Sequence, residues 1–333
     1  MLVETMHLPS AYETTDEREL NALIQILRDT LRGAVILHDA DDLTSCIDRW
    51  PIAYRKKGQK ILTLLKTRKR FVSRLTSNVS AQVICSYNLC ANLHDQIFAT
   101  GNKLYVFLDT HCSNCMSLQD NQVTKTLGDT ISFITPSKYQ LSDIPERIDS
   151  RLSFSLGNRQ WNKNKFEENI LKPVLKHTKT LKIFDRQIGR TLIKDGQGYF
   201  KMKKGFEKDI RWIFDIFLKN SSVELVEIYC GLFNYKNDKM YDRVARKNFL
   251  LKWGHDYAIE YGIPVNVIVK HEKHKDQAPH ARYIITDQVC LLIERGFELT
   301  NTDDSIKDVA VVLMEAPKGL ETSFKLLDDI ERT

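Results

Sequence analysis

From residue 181 onward, short β-branched runs alternate with amphipathic stretches, and this alternation restricts the second half of the chain to a sheet covered by helices. Leu181-Lys182-Ile183-Phe184-Asp185 reads as a strand that ends in an acid. Phe206, Ile210, Ile213, Phe214 and Phe217 then recur at helical spacing over 204–219. A strand over 223–229 leads into a long helix over 238–261, stopped by Gly262 and Pro264. Strands over 265–269, from 280, over 289–294 and over 308–314 precede a last helix over 319–330. The order βαβαββββα predicts an α/β domain with one mixed sheet and flanking helices.

The first half reads as a separate, smaller α/β domain over residues 1–150. Leu20, Leu23, Ile24, Leu27 and Leu31 form the apolar side of a helix over 15–32, with Thr15 followed by Glu17 and Glu19 as an acidic, cappable start and a stop at Gly33. A short strand over 34–37 follows, then a helix over 52–66 with Ile61, Leu62, Leu64 and Leu65 as its core face. Strands are expected at 83–84 and 104–108. Between the halves, 151–177 is polar and then basic, with Pro173 set to bend or shorten any helix there, and reads as a linker or helix. The second domain then covers 178–333.

A hydrophobic fraction of 42% and a charged fraction of 28% are those of a soluble globular protein, and no apolar run reaches bilayer length. The N-terminal residues carry no secretory pattern, and seven irregularly spaced cysteines suit a reducing compartment, so a cytoplasmic location is expected. The formal charge of +6 is mild. Its distribution is more informative: Lys163, Lys165, Lys172, Lys176, Lys179, Lys182, Arg186, Arg190 and Lys194 form a basic band, and Lys201, Lys203 and Lys204 follow. Such a band fits a nucleic acid or another polyphosphate, and equally a solvated surface.

Chemistry concentrates in Pro279-His280-Ala281-Arg282-Tyr283-Ile284-Ile285-Thr286-Asp287. In a strand His280 and Arg282 leave the same face. An imidazole beside a guanidinium suits phosphate handling: one attacks phosphorus or moves a proton, the other holds non-bridging oxygens. Two other clusters are weaker. Cys112 and Cys115, with Cys85, Cys90 and His94 upstream, lack a completed zinc pattern and read as ordinary reduced cysteines. Asp39, Asp41 and Asp42 read as turn formers and helix caps.

His280, Arg282 and Asp287, taken with the element order, resemble the phospholipase D superfamily, whose signature is His-x-Lys-x-x-x-x-Asp. They are most similar to the phospholipase D-like domain at the C-terminus of MIT-domain proteins, where the pattern is His-x-Arg-x-x-x-x-Asp and a strand ending in Gly-Arg-Gly-Leu-Asp follows. The counterpart here is Ile293-Glu294-Arg295-Gly296-Phe297-Glu298, and Lys182-Ile183-Phe184-Asp185-Arg186 resembles that domain's first strand. The resemblance covers roughly 178–330. It implies His280 as nucleophile and Arg282 as phosphate clamp. The motif includes Asp287, which strand parity turns away from His280. Glu294 and Glu298, beside Arg295, read as a structural ion pair or as carboxylates that orient His280. Asp185, Arg186, His274, Arg295 and Glu298 are the expected phosphate-side residues. Three departures stand out. Arginine replaces lysine, Gly296-Phe297-Glu298-Leu299 replaces the usual Gly-Ser-x-Asn, and one full motif is present where the chemistry uses two histidines. A homodimer sharing two copies of His280 supplies the second.

The expected function is that of a phospholipase D-like phosphodiesterase, a metal-independent nuclease that acts on DNA or RNA as a homodimer, with no cofactor. Family analogy places it in prokaryotic genome defence. The alternative is a non-catalytic module of the same fold that binds nucleic acid or anionic lipid phosphates.

Overall fold

The computed structural model describes residues 2–37, 40–72, 104–109, 131–150, 153–156, 161–219, 223–233, 240–272, 281–294 and 296–330. The chain divides into two compact units, Met1–Arg151 and Leu152–Thr333, both of mixed α/β character. No described helix is long and apolar enough to cross a membrane.

The first unit is built on four parallel strands, β1 (Val3–His7), β2 (Ala34–Ile36), β3 (Leu104–Phe107) and β4 (Ile131–Ile134), in the order β2-β1-β3-β4. Among the described residues its α-helices are α1 (Glu17–Gly33), α2 (Ala40–Ile47), α3 (Ile52–Thr67) and α4 (Ile144–Asp149). Asp16, not Thr15, caps α1, its carboxylate accepting the N–H groups of Arg18 and Glu19. Leu20, Leu23, Ile24 and Leu27 are buried with Trp50, Ile61, Leu62, Leu65 and Tyr105 in one core. All five residues of β1 are buried, so its polar side chains find internal partners: Thr5 donates to the Val35 carbonyl, and His7 sits between the Thr5 and Tyr12 hydroxyls.

The second unit is built on an eight-stranded mixed sheet. Its strands are β5 (Ser153–Leu156), β6 (Thr180–Phe184), β9 (Leu225–Phe233), β10 (Val265–Glu272), β11 (Arg282–Thr286), β12 (Cys290–Ile293), β13 (Val309–Met314) and β14 (Asp328–Asp329). The order is β14-β10-β9-β6-β11-β12-β13-β5. β6, β9 and β10 run parallel; every other neighbouring pair is antiparallel. A separate hairpin, β7 (Leu192–Lys194) and β8 (Phe200–Met202), follows the short helix α5 (Gln187–Arg190). The longer helices are α6 (Lys204–Lys219) and α7 (Met240–Tyr261), and α8 (Leu320–Lys325) comes near the end.

Residues 152–177, expected as a linker or helix, belong to this unit and are in part helical. β5 pairs with β13 at the sheet edge, and helical turns Lys163–Phe166, Glu167–Leu171 and Lys172–Leu175 bury Phe166, Ile170, Leu171, Val174 and Leu175. The middle turn is π-helical. It falls where the ring of Pro173 would meet the Asn169 carbonyl in a regular α-helix, so the wider turn accommodates the proline without ending the helix.

Much of the basic band of the sequence is neutralised in the fold by acids, most of them from other segments. Lys172 meets Glu167 and Glu168, Lys179 meets Glu224, and Lys182 lies between Glu227 and Glu321. Arg186 and Arg190 share Glu272, and Lys194 meets Asp242.

Candidate functional site

The carboxyl ends of parallel strands are where open α/β sheets collect ligand-binding groups, and here that edge carries Asp185. Its N–H bonds the Tyr229 carbonyl at 3.1 Å, which extends β6 by one residue before the chain turns into α5. The turn is fixed by Asp185 itself, because Oδ1 accepts the Gln187 N–H at 2.6 Å. β11 runs antiparallel to β6 with Tyr283 opposite Phe184, so Arg282 comes opposite Asp185 on the same face of the sheet.

Arg282 Nε lies 3.7 Å from Asp185 Oδ1, an ion pair rather than a hydrogen bond. Its Nη1 donates to the Glu294 carbonyl at 2.7 Å, which fixes the guanidinium plane. Over the pair lies Gly296, with φ of +82°. A Cβ there would lie 3.0 Å from Asp185 Oδ2 and 3.1 Å from Arg282 Nε, so the backbone at this position closes on the ion pair and a side chain would have to push its neighbours aside. The loop is held from below by Asp209 of α6, whose carboxylate accepts both the N–H and the hydroxyl of Thr300 at 2.8 and 2.5 Å.

Asp185 is fully buried. Burial pushes its carboxyl up to about 6, against the Gln187 N–H, the Arg282 guanidinium, the Phe297 N–H and the Arg186 guanidinium, which all favour the charged form. Asp185 Oδ2 and Arg282 Nε have no hydrogen-bond partner among the described residues. A carboxyl that titrates near neutrality beside a cation with an unused donor can exchange a proton and bind an anion.

The next residue faces elsewhere. Arg186 meets Glu272 at 3.3 Å, and Arg190 reaches the same oxygen at 3.4 Å. Glu272 is fully buried at the end of β10 and lies over Gly231 of β9, where an added Cβ would sit 2.2 Å from Oε1. Sequence reasoning missed Glu272, which falls in a charged run that looks like a solvated loop. It missed equally that α5 brings two arginines to one carboxylate.

The other expected site residues are dispersed. Asp287 accepts the Lys179 N–H at 3.2 Å at the opposite end of β11. At strand rise it lies roughly 16 Å along the chain from Arg282, so it does not join the cluster. Glu294 is exposed and contributes its carbonyl. Glu298 is partly desolvated, but Lys307 and Lys203 hold its carboxyl below the usual range. It is an ion-pair residue on the rim. His280, His274 and Arg295 lie outside the described residues, as do Asp39, Cys85, Cys90, His94, Cys112 and Cys115. Among the described residues no group of three or more His, Cys, Asp or Glu is arranged to hold a metal ion.

Comparison of the chain with protein-family models and with curated proteins gave no match.

Proposed function

We propose that the second unit is a phospholipase D-like phosphodiesterase, acting as a metal-independent nuclease with one His280 from each chain of a homodimer. The observation that carries this reading is the pair of buried Asp185 and half-buried Arg282 at the carboxyl edge of β6. It holds the motif's cation ready for a phosphate oxygen, two residues after His280 in the sequence. In the reaction the resemblance implies, an imidazole nitrogen of His280 bonds to phosphorus while the P–O bond to the leaving group breaks. The partner's His280 protonates the leaving oxygen. Water then cleaves the P–N bond and frees the phosphate end and the histidine. Arg282 neutralises the oxygens in flight, and Asp185 sets the guanidinium's position.

The direct test is a covalent intermediate. An oligonucleotide reacted with the protein and quenched in alkali, where phosphohistidine survives, should leave a nucleotidyl adduct that mass spectrometry places on His280. Turnover with no adduct on His280 overturns the assignment.

A second reading is favoured by one observation: Arg282 already spends Nη1 on the Glu294 carbonyl and faces Asp185 with Nε. A guanidinium so engaged suits a module that holds phosphates without cleaving them. Salt-sensitive binding of nucleic acid or anionic lipid with no turnover distinguishes that reading.

A further inference from the structure

The β7–β8 hairpin leaves α5 just after Asp185 and is not used by the phosphodiester site described above. Its register pairs Leu192 with Met202, Ile193 with Lys201, and Lys194 with Phe200, which fixes two faces. The inner face is anchored: Met202 is buried, and Lys194 Nζ lies 5.3 Å from the Phe200 ring centre and 2.9 Å from Asp242. The outer face carries Ile193, Lys201 and, by the same alternation, Tyr199, which is 69% exposed. The turn is rigid. Asp195 Oδ1 accepts the N–H groups of Gln197 and Tyr199, each at 2.9 Å, and Asp195 N–H bonds the Tyr199 carbonyl.

Two further facts tie this ribbon to the site. Lys203, which bonds back to Thr191, forms an ion pair with Glu298, the neighbour of Phe297, whose N–H points at Asp185. Lys201 and Lys204 have no carboxylate partner among the described residues, whereas Lys172, Lys179, Lys182 and Lys194 are paired. Lysines without an acid partner among the described residues therefore lie on and beside the hairpin.

An exposed aromatic ring on a fixed ribbon, flanked by unpaired ammonium groups, matches what an unpaired strand offers: an open base face to stack and phosphates to neutralise. A duplex hides its base faces. A bilayer surface needs more apolar area than Ile193 and Tyr199 provide. We infer that the outer face of this hairpin binds single-stranded nucleic acid and leads it to the Asp185–Arg282 edge. The inference rests on the nuclease reading and deepens it by specifying the substrate as an unpaired strand.

The test is fluorescence anisotropy of a labelled oligo-dT, in chelator, with the intact chain carrying His280→Ala so that no strand is cut. Adding Tyr199→Ala should weaken binding by about 5- to 100-fold, with Tyr199→Phe restoring it. Adding Lys201→Ala should weaken binding and lower the slope of log affinity against log salt by about 0.7. A duplex of equal length should bind more weakly than the single strand. Unchanged affinity in both variants, or duplex binding as tight as single-strand binding, overturns the inference. So does binding to phosphatidylserine vesicles, but not to oligo-dT, that Tyr199→Ala abolishes. The nuclease reading fails separately, if the chain with native His280 binds the oligonucleotide and leaves it intact.

Discussion

Asp185 and Arg282 lie far apart in sequence, yet the antiparallel pairing of β6 with β11 sets Oδ1 of one 3.7 Å from Nε of the other, under a glycine. The carboxylate is buried and the guanidinium half-buried, and a pair shielded in this way interacts more strongly than the same pair at the surface.

Gly296→Ala tests how tightly the loop closes. The left-handed φ of +82° and the contacts of 3.0 and 3.1 Å both oppose a Cβ. The substitution should destabilise the second unit by about 2–4 kcal/mol, combining the left-handed penalty with overpacking. Denaturant unfolding at neutral pH measures it, and a loss under 0.5 kcal/mol, by about the error of such fits, would show that the loop gives way freely.

The raised carboxyl of Asp185 makes stability depend on pH with a definite sign. Its folded value of about 6 lies above the ordinary aspartate value. The folded state therefore keeps the proton that the unfolded state releases. Asp185 contributes stability that is fully present below about pH 4 and is lost as pH rises through 6, by roughly 2–3 kcal/mol. Asp185→Asn cannot titrate. The difference between variant and wild type should move in the variant's favour by that amount between pH 4 and pH 7, as read from urea unfolding. A difference that stays constant across this range would mean that Asp185 ionises normally.

Glu272 carries the opposite kind of burial, a carboxylate shared by Arg186 and Arg190. Glu272→Gln leaves both guanidiniums without their counter-charge and should cost about 3–5 kcal/mol in unfolding experiments. A cost near that of a surface ion pair, under about 1 kcal/mol, would show that solvent reaches the cluster.

Legibility from sequence followed the strength of the local signal. The strands β6 and β9 to β13, and the helices α6 and α7, announce themselves through apolar periodicities, several of them bounded by Gly or Pro. α6 is the clearest, with Phe206, Ile210, Ile213, Phe214 and Phe217 all buried. β1 went unread because Glu4, Thr5 and His7 look solvent-facing, although a central parallel strand buries them with internal partners. The β7–β8 hairpin went unread because its lysines were counted as charge rather than as alternate strand positions around Asp195-Gly196. The local run at 280–287 exposed Arg282, but its spacing could not show that Asp287 sits at the far end of β11 on the Lys179 N–H. Nor could it show that Asp185 is the acid facing Arg282. Pairings of that range are fixed by sheet order, which no local pattern carries.

The most direct test of the account compares phosphodiester cleavage by wild type and His280→Ala in excess chelator, with both proteins checked for equal folding. The account predicts that wild type cleaves oligonucleotide without metal and that His280→Ala loses on the order of 10⁴-fold or more in kcat, the scale on which removal of a nucleophile acts. Equal cleavage by the two proteins would contradict it.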